Sequence, residues 1–137
     1  MERYIEDGTL KIEWRDFPYL GEKSMNAALA ARVAQEQGKF WEYHDLLYEN
    51  QSSPGDFSDE NLVALAREVG LDIEEFEASL ASGEHRQVVT EAFTEGQRSG
   101  ITGTPTFIIN GTTLVGAQPL EAFEEAIEEA AREARDG

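Results

Sequence analysis

The segment GITGTPTFIING, residues 100–111, contains the features of this sequence that decide its fold. A loop flanked by glycines ends in Thr104-Pro105, and an apolar run with β-branched residues follows. Proline is tolerated at the first residue of a strand because no ladder donor is needed there. The Thr104–Pro105 bond is also a candidate for the cis isomer, since the trans form of an X-Pro bond is favoured by only about 0.5–1 kcal/mol. The segment therefore predicts a loop that enters a strand at Pro105.

The pair Asn110-Gly111 predicts a hairpin directly after this strand entry. It separates two strand-like runs, Thr106–Asn110 and Thr112–Gly116. Both residues of an Asn-Gly pair accept positive φ, which is why the pair is the strongest short hairpin signal. Pro119 is then predicted at the first position of a terminal helix, where its missing N–H is not needed. The apolar stripe of that helix consists of Leu120, Phe123, Ile127, Ala130 and Ala134.

An alternating segment and a block of helices precede the loop. Thr9–Arg15 alternates apolar and charged residues, which predicts a half-exposed strand. Before it, Glu2–Asp7 is predicted to be the last part of a helix that ends at Gly8. Five helices are predicted between about residues 22 and 99, with a turn over 52–56. They run from Ser24 to about Gln37, from Lys39 to Gln51, from Ser58 to Gly70, from Asp72 through a segment that includes Leu80, and from about Glu84 to Arg98. Ser24, Ser58 and Asp72 are the predicted N-caps, and Asp72 and Glu75 have capping-box spacing.

The charge of the chain restricts its partners. The 137 residues carry 28 acidic and 11 basic side chains, a net charge of −17. Such a surface repels nucleic acid and anionic membranes, so neither is expected as a partner. Salt screens this repulsion, which favours a salt-adapted protein; an ordinary acidic protein is the alternative. No membrane-spanning run or secretory signal is present in the sequence, so a cytoplasmic location is expected.

Few residues form patterns that carry chemistry. Cysteine is absent, so this chain supplies no thiolate nucleophile, disulfide or cysteine-bound metal. His44 and His85 are far apart and share no metal-ligand spacing, so structural roles are expected for both, and Asp45 is expected on a different helix face from His44. No catalytic residue, metal site or cofactor is predicted.

Two further groups are interpreted as ordinary structure. Asp56, Asp59 and Glu60 lack a complete calcium-loop pattern, and a solvated acidic face is expected. Helix packing is the simplest interpretation of the aromatic residues Phe40, Trp41, Tyr43 and Tyr48.

Residues 100–107, with Asn110-Gly111, Gly116-Ala117 and the closing helix, resemble the C-terminal part of DsbA-like thioredoxin-fold proteins. Earlier segments resemble the second strand and helical insertion of that family: Lys11–Trp14, Arg15–Pro18, Gly38–Glu42 and His44–Leu47. The resemblance covers essentially the whole chain. It implies a single α/β domain over 1–137 with an incomplete thioredoxin-like fold. The expected parts are a small mixed sheet of about three strands, a five-helix insertion at about 22–99 and a C-terminal helix. It also implies a substrate-binding role for Thr104 and Pro105.

The sequence departs from this family at the part that carries the chemistry. The family has a first strand followed by C-x-x-C at the start of a long helix, whereas this sequence begins near the end of that helix and contains neither feature. We therefore expect a redox-inactive family member. Two alternatives are a non-catalytic peptide-binding or assembly module that uses the Pro105 loop and an open sheet edge, and a glutathione-linked isomerase or transferase relative. Open edges predict an extended peptide as a partner and a homodimer through sheet edges.

Overall fold

The computed structural model describes residues 2–19, 21–50 and 57–136. These residues form helices and one hairpin, in an order that follows the prediction except at the start. The elements are α1 (Glu2–Glu6), α2 (Glu22–Glu36), α3 (Phe40–Asn50), α4 (Asp59–Glu68), α5 (Ile73–Ser82), α6 (Arg86–Arg98), β1 (Thr106–Ile109), β2 (Thr112–Val115) and α7 (Leu120–Asp136). The predicted turn over 52–56 and the predicted helix end at Gln51 lie outside the described residues.

The chain divides into two compact units. The hairpin unit combines Met1–Arg15 with Ser99–Gly137, and the helical unit is Asp16–Arg98. The hairpin unit contains α1, both strands and α7, whereas the helical unit contains α2 to α6. The helices predicted as an insertion therefore form a unit of their own, and the single domain over 1–137 stays a prediction.

The helical unit has a continuous apolar core. Helix α2 contributes small residues to it, including Ala30 and Ala34, which are fully buried and let neighbouring helices approach closely. Tyr43 of α3 and Phe76 of α5 are also fully buried, with ring centroids 5.9 Å apart. The Tyr43 hydroxyl donates a hydrogen bond of 2.9 Å to the carbonyl of Leu62, so its polar atom is satisfied inside the core.

Two of the three predicted N-caps are confirmed. The Ser58 hydroxyl accepts from the backbone N–H of Asn61 at 3.3 Å, and Asp72 accepts from that of Glu75 at 3.0 Å. The prediction of Ser24 as a cap is wrong, because α2 begins at Glu22 after Gly21. Gly21 has a φ of 89°, a conformation that glycine adopts without a steric cost, so the loop ends there and Ser24 falls within the first turn.

The predicted strand over Thr9–Arg15 is not formed. Residues 10–15 have no regular secondary structure, and Ile12 is 47% exposed. A strand needs a neighbour for its backbone groups, and the described part of the chain pairs β1 only with β2. The sheet therefore has two strands instead of the expected three, within a chain that still combines helices with a sheet.

The predicted hairpin is confirmed. β1 and β2 are antiparallel, with Phe107 opposite Leu114 and Ile109 opposite Thr112. Asn110 and Gly111 both have positive φ, at 48° and 90°, as a two-residue hairpin turn requires. Among the described residues, no helix has both the length and the apolar character needed to cross a bilayer.

Candidate functional site

Thr104 and Pro105 lie in an exposed loop at the start of β1. The peptide bond between them is cis. Two hydrogen bonds hold the loop against the hairpin. The backbone N–H of Gly116 donates to the Pro105 carbonyl at 2.8 Å, and the Thr106 hydroxyl donates to the Gly103 carbonyl at 2.7 Å. The loop is thus positioned by the sheet and presents both predicted substrate-binding residues to solvent.

The hairpin register determines which backbone groups of β1 are free. In an antiparallel pair, residues alternate between those that exchange hydrogen bonds with the neighbouring strand and those that direct their N–H and C=O to the other side. The bond from Gly116 to Pro105 makes Pro105 a position that faces β2, and Phe107 and Ile109 follow it at intervals of two. Thr106 and Ile108 therefore direct their backbone groups to the outer edge of β1. In the described part of the chain, no strand pairs with that edge.

The two faces of the hairpin differ in their surroundings. Phe107 contacts Phe123 of α7 edge-to-face, with ring centroids 4.7 Å apart, so its face packs on the helix. Ile108 and Val115 lie on the opposite face and are 58% and 63% exposed. Beside the open backbone edge, the hairpin therefore has an exposed apolar surface.

Helix α1 is held to α7 by polar contacts within the same unit. The Tyr4 hydroxyl donates to Oε1 of Glu128 at 2.7 Å, and Arg3 contacts Glu124 at 3.2 Å. The hydrogen bond to Glu128 raises the pKa of Tyr4, because losing the phenolic proton would place two negative charges together. These contacts connect the first helix to the helix on which the hairpin packs.

His44 belongs to an aromatic cluster on α3. Its ring stacks on Tyr48 at 4.6 Å and meets the edge of Trp41 at 5.1 Å. Asp45 is the next residue along the helix, and its Oδ1 lies 3.0 Å from His44 Nδ1, so these neighbours are in contact although different faces are expected for them. The packing role expected for the aromatic residues agrees with these contacts.

The structure brings His85 together with acidic residues that the sequence did not connect to it. Glu36 is the last residue of α2, and its carboxylate contacts His85 although the two are far apart in the chain. Sequence spacing contained no signal for this pair, because it forms only when α2 packs beside α6. Of the three predicted acidic residues, Asp56 lies outside the described residues, and Asp59 and Glu60 occupy the first turn of α4, where the helix dipole favours negative charge.

Comparisons with known proteins agree on the fold. The family model described as Thioredoxin matches residues 1–129. A solved structure of the thiol-disulfide exchange protein alpha-DsbA2 from Wolbachia pipientis has a TM-score of 0.78 at 28% identity; the match covers 93% of this chain and 69% of that one. A probable disulfide bond formation protein D of Bacillus cereus is 27% identical over 116 residues, which are 80% of this chain and 54% of that protein. The expected thioredoxin-like fold and its DsbA-like type are confirmed.

Similar segments also occur in much longer proteins. A Na(+)/H(+) antiporter NhaA 1 of Salinispora arenicola is 32% identical over 120 residues, which are 86% of this chain but 18% of the antiporter. The chain thus spans about a fifth of the length of such relatives and about half that of the disulfide bond formation protein. A domain of this type therefore occurs within proteins of different named activities.

Proposed function

The chain belongs to the thioredoxin family, and we propose that it is a DsbA-type domain that binds extended polypeptide without exchanging disulfides itself. One observation carries the proposal. The loop of Thr104 and Pro105 is exposed and lies beside an edge of β1 that no other strand in the described part of the chain pairs with, and the 137 residues contain no cysteine. These 137 residues thus include the loop that we propose holds a substrate and contain no cysteine that could react with it.

Thiol–disulfide exchange requires a sulfur nucleophile. A thiolate attacks a disulfide sulfur and forms a mixed disulfide, and no other protein side chain replaces it in that reaction. Since cysteine is absent, these residues form no mixed disulfide with a substrate. The expected contribution of the chain is therefore non-covalent binding.

The edge of β1 has the chemistry that an extended peptide needs. Backbone N–H and C=O groups of Thr106 and Ile108 would pair with the peptide backbone, as in strand addition to a sheet edge. The side chains of Ile108 and Val115 provide apolar contact on one face. The Thr104 hydroxyl and the Pro105 ring lie where the peptide would enter. Main-chain pairing gives affinity with little sequence specificity, so unfolded polypeptide of varied sequence is the expected ligand class.

The redox part of the proposal is tested with an insulin reduction assay in the presence of dithiothreitol. The 137-residue protein should reduce insulin no faster than the buffer control. A rate above that control would show that the absence of cysteine does not prevent the reaction and would overturn this part of the proposal.

The binding part is tested with a fluorescently labelled, reduced and alkylated polypeptide in a polarisation assay. Pro105→Ala removes the ring that shapes the loop, and binding should weaken about tenfold, which corresponds to about 1.4 kcal/mol. Pro119→Ala is the matched control, because Pro119 is also exposed and in the hairpin unit but lies before α7. Equal binding by all three proteins, or none by the wild type, would contradict the proposal.

A second candidate partner is another copy of the chain. Two features favour a homodimer: the exposed side chains of Ile108 and Val115, and the edge of β1 that no described strand covers. A strand edge with apolar neighbours can pair with the same edge of a second copy. Light scattering at micromolar concentration should then give twice the monomer mass, and Ile108→Lys should return it to the monomer mass. A wild-type monomer would exclude the homodimer and leave peptide as the proposed partner of the edge.

The glutathione-linked alternative stays a prediction, which calorimetry with glutathione tests.

A further inference from the structure

Three side chains of the helical unit form a group that peptide binding does not use. His85 lies in the turn before α6, next to Glu84 and beside Glu36 at the end of α2. Nε2 of His85 is 2.6 Å from Oε1 of Glu36 and 3.7 Å from Oε1 of Glu84. One nitrogen and two carboxylate oxygens thus lie within 4.8 Å of one another.

The environment of His85 Nε2 points to a cation. This nitrogen is shielded from solvent and has no hydrogen-bond partner among the described residues. The Glu36 oxygen is close to it, but the contact does not have hydrogen-bond geometry. Buried polar atoms are rarely left without a partner, because their lost hydration is not replaced. A metal ion bound to the nitrogen lone pair and to the two carboxylates would satisfy all three groups.

We propose that Glu36, Glu84 and His85 bind a transition-metal dication of the Zn²⁺ class. Imidazole and carboxylate are both zinc ligands, with bonds of about 2.0–2.2 Å, and three protein ligands leave a position for water. Neighbouring ligand atoms in such a tetrahedral site are about 3.4 Å apart, between the observed 2.6 and 3.7 Å. The glutamate side chains are 44% and 50% exposed, so small rotations suffice to adjust these distances.

The ligand types select against the alkaline-earth ions. Mg²⁺ and Ca²⁺ take oxygen ligands, whereas imidazole favours zinc and its neighbours. The adjacent cation Arg86 contacts Glu22 at 3.3 Å, so another carboxylate offsets its charge beside the site. A bound ion would connect the end of α2 to the turn before α6. It would therefore stabilise the folded helical unit.

The first test distinguishes Zn²⁺ binding at this site from a general attraction of cations to the acidic surface. The protein is labelled with ¹⁵N-histidine and titrated with Zn²⁺ in excess Mg²⁺, and the ring nitrogens are observed by NMR. His44 is an internal control, because its ring packs on Trp41 and Tyr48 of α3 and its Nδ1 lies 3.0 Å from Asp45 Oδ1, in a different part of the helical unit from Glu36 and Glu84. The His85 signals should shift and those of His44 should not. Shifts of both histidines, or of neither, would overturn the proposal.

The second test compares two variants that remove the same charge. Glu36→Gln should weaken Zn²⁺ binding, measured by calorimetry in the same buffer, by at least about tenfold, the lower end of the loss seen for outer-shell changes at metal sites. Glu74→Gln, on the exposed first turn of α5, should change it by less than about twofold. An equal loss of affinity in both variants would mean that overall charge attracts the ion and would contradict the proposed site.

Zn²⁺ should also raise the melting temperature of the wild type but not that of His85→Ala. If His85→Ala fails to fold, the comparison of the two histidines in the wild type decides.

Discussion

The helical unit and the hairpin unit bury their apolar residues to very different extents. In the helical unit, a cluster of buried residues from α2 to α5 forms a continuous core, and Tyr43, Leu62 and Phe76 are fully buried. In the described part of the hairpin unit, the buried apolar residues are Tyr4 and Ile127. Six large apolar residues of that unit are exposed: Ile5, Ile12, Phe107, Ile108, Val115 and Leu120.

This difference in burial suggests that the two units contribute differently to stability and to binding. A core that excludes water stabilises its unit through the hydrophobic effect, at about 25 cal/mol per Å² of buried apolar area. Exposed apolar side chains beside a free strand edge stabilise little until another chain covers them. We therefore assign fold stability mainly to the helical unit and recognition to the hairpin unit.

The largest difference in stability is expected when a phenylalanine is replaced by alanine in each of the two units. Phe76→Ala removes a fully buried ring and should lower the free energy of unfolding by about 3–5 kcal/mol. Phe107→Ala removes a ring that is 39% exposed and contacts Phe123, and it should cost about 0.5–1.5 kcal/mol from the aromatic contact. Urea denaturation followed by circular dichroism measures both. Similar losses in the two variants would remove the contrast between the units.

Ion pairs give the next contrast. Asp16 is 2% exposed, and its Oδ2 accepts a 2.6 Å hydrogen bond from Nε of Arg32, whose side chain is 16% exposed. Asp16→Ala leaves that guanidinium without this partner and should cost about 2–4 kcal/mol. The Arg3–Glu124 pair of the hairpin unit has side chains 67% and 35% exposed, so Glu124→Ala should change stability by less than about 1 kcal/mol. Thermal unfolding measures the stability of both variants. A larger loss of stability in Glu124→Ala than in Asp16→Ala would contradict the assignment of fold stability to the helical unit.

The core position of Tyr43 makes stability sensitive to alkaline pH. Burial raises the pKa of Tyr43 above the usual value of about 10, so the unfolded chain loses this proton before the folded chain does. The corresponding stability is complete below about pH 10 and falls as the pH rises toward the folded-state pKa, by up to about 1.4 kcal/mol per pH unit. Tyr43→Phe should cost about 1 kcal/mol at neutral pH through the lost bond to Leu62. Its urea midpoint should fall less steeply than that of the wild type above pH 10. Parallel pH profiles would show that Tyr43 ionises equally in both states.

Salt should act more on the hairpin unit than on the helical core. In α7, glutamates recur at helical spacing, as in Glu121, Glu125 and Glu129, whereas the acidic residues of α2 lie near its two ends. Each exposed like-charge pair costs about 0.2–0.5 kcal/mol, and the Debye length falls to about 3 Å in molar salt. Amide exchange in α7 should slow a few-fold from dilute to molar KCl, with little change in α2. Equal or absent changes would favour an ordinary acidic protein over a salt-adapted one.

Local signals in the sequence predicted the hairpin, the helices and two caps. Asn110-Gly111 carries its own backbone preference, and Ser58 and Asp72 bond within their own turns, so neighbouring residues determine these features. The predicted strand over Thr9–Arg15 does not form, because the alternation of apolar and charged residues specifies which face is buried but does not supply a strand to pair with. The contact of His85 with Glu36 was missed because it depends on how helices pack. The exposed position of Thr104 and Pro105 agrees with the loop expected from the sequence, and their binding role stays a proposal.

NMR titration with a reduced and alkylated extended peptide tests the proposed division between the two units most directly. With ¹⁵N-labelled protein, the amides of Thr106 and Ile108 should shift most, since their N–H groups face the open edge of β1, and those of Tyr43 and Phe76 should stay unchanged. Pro105→Ala should reduce these shifts at the same peptide concentration. If the amides of the helical core shift while β1 does not, the hairpin unit is not the binding surface and the account is wrong.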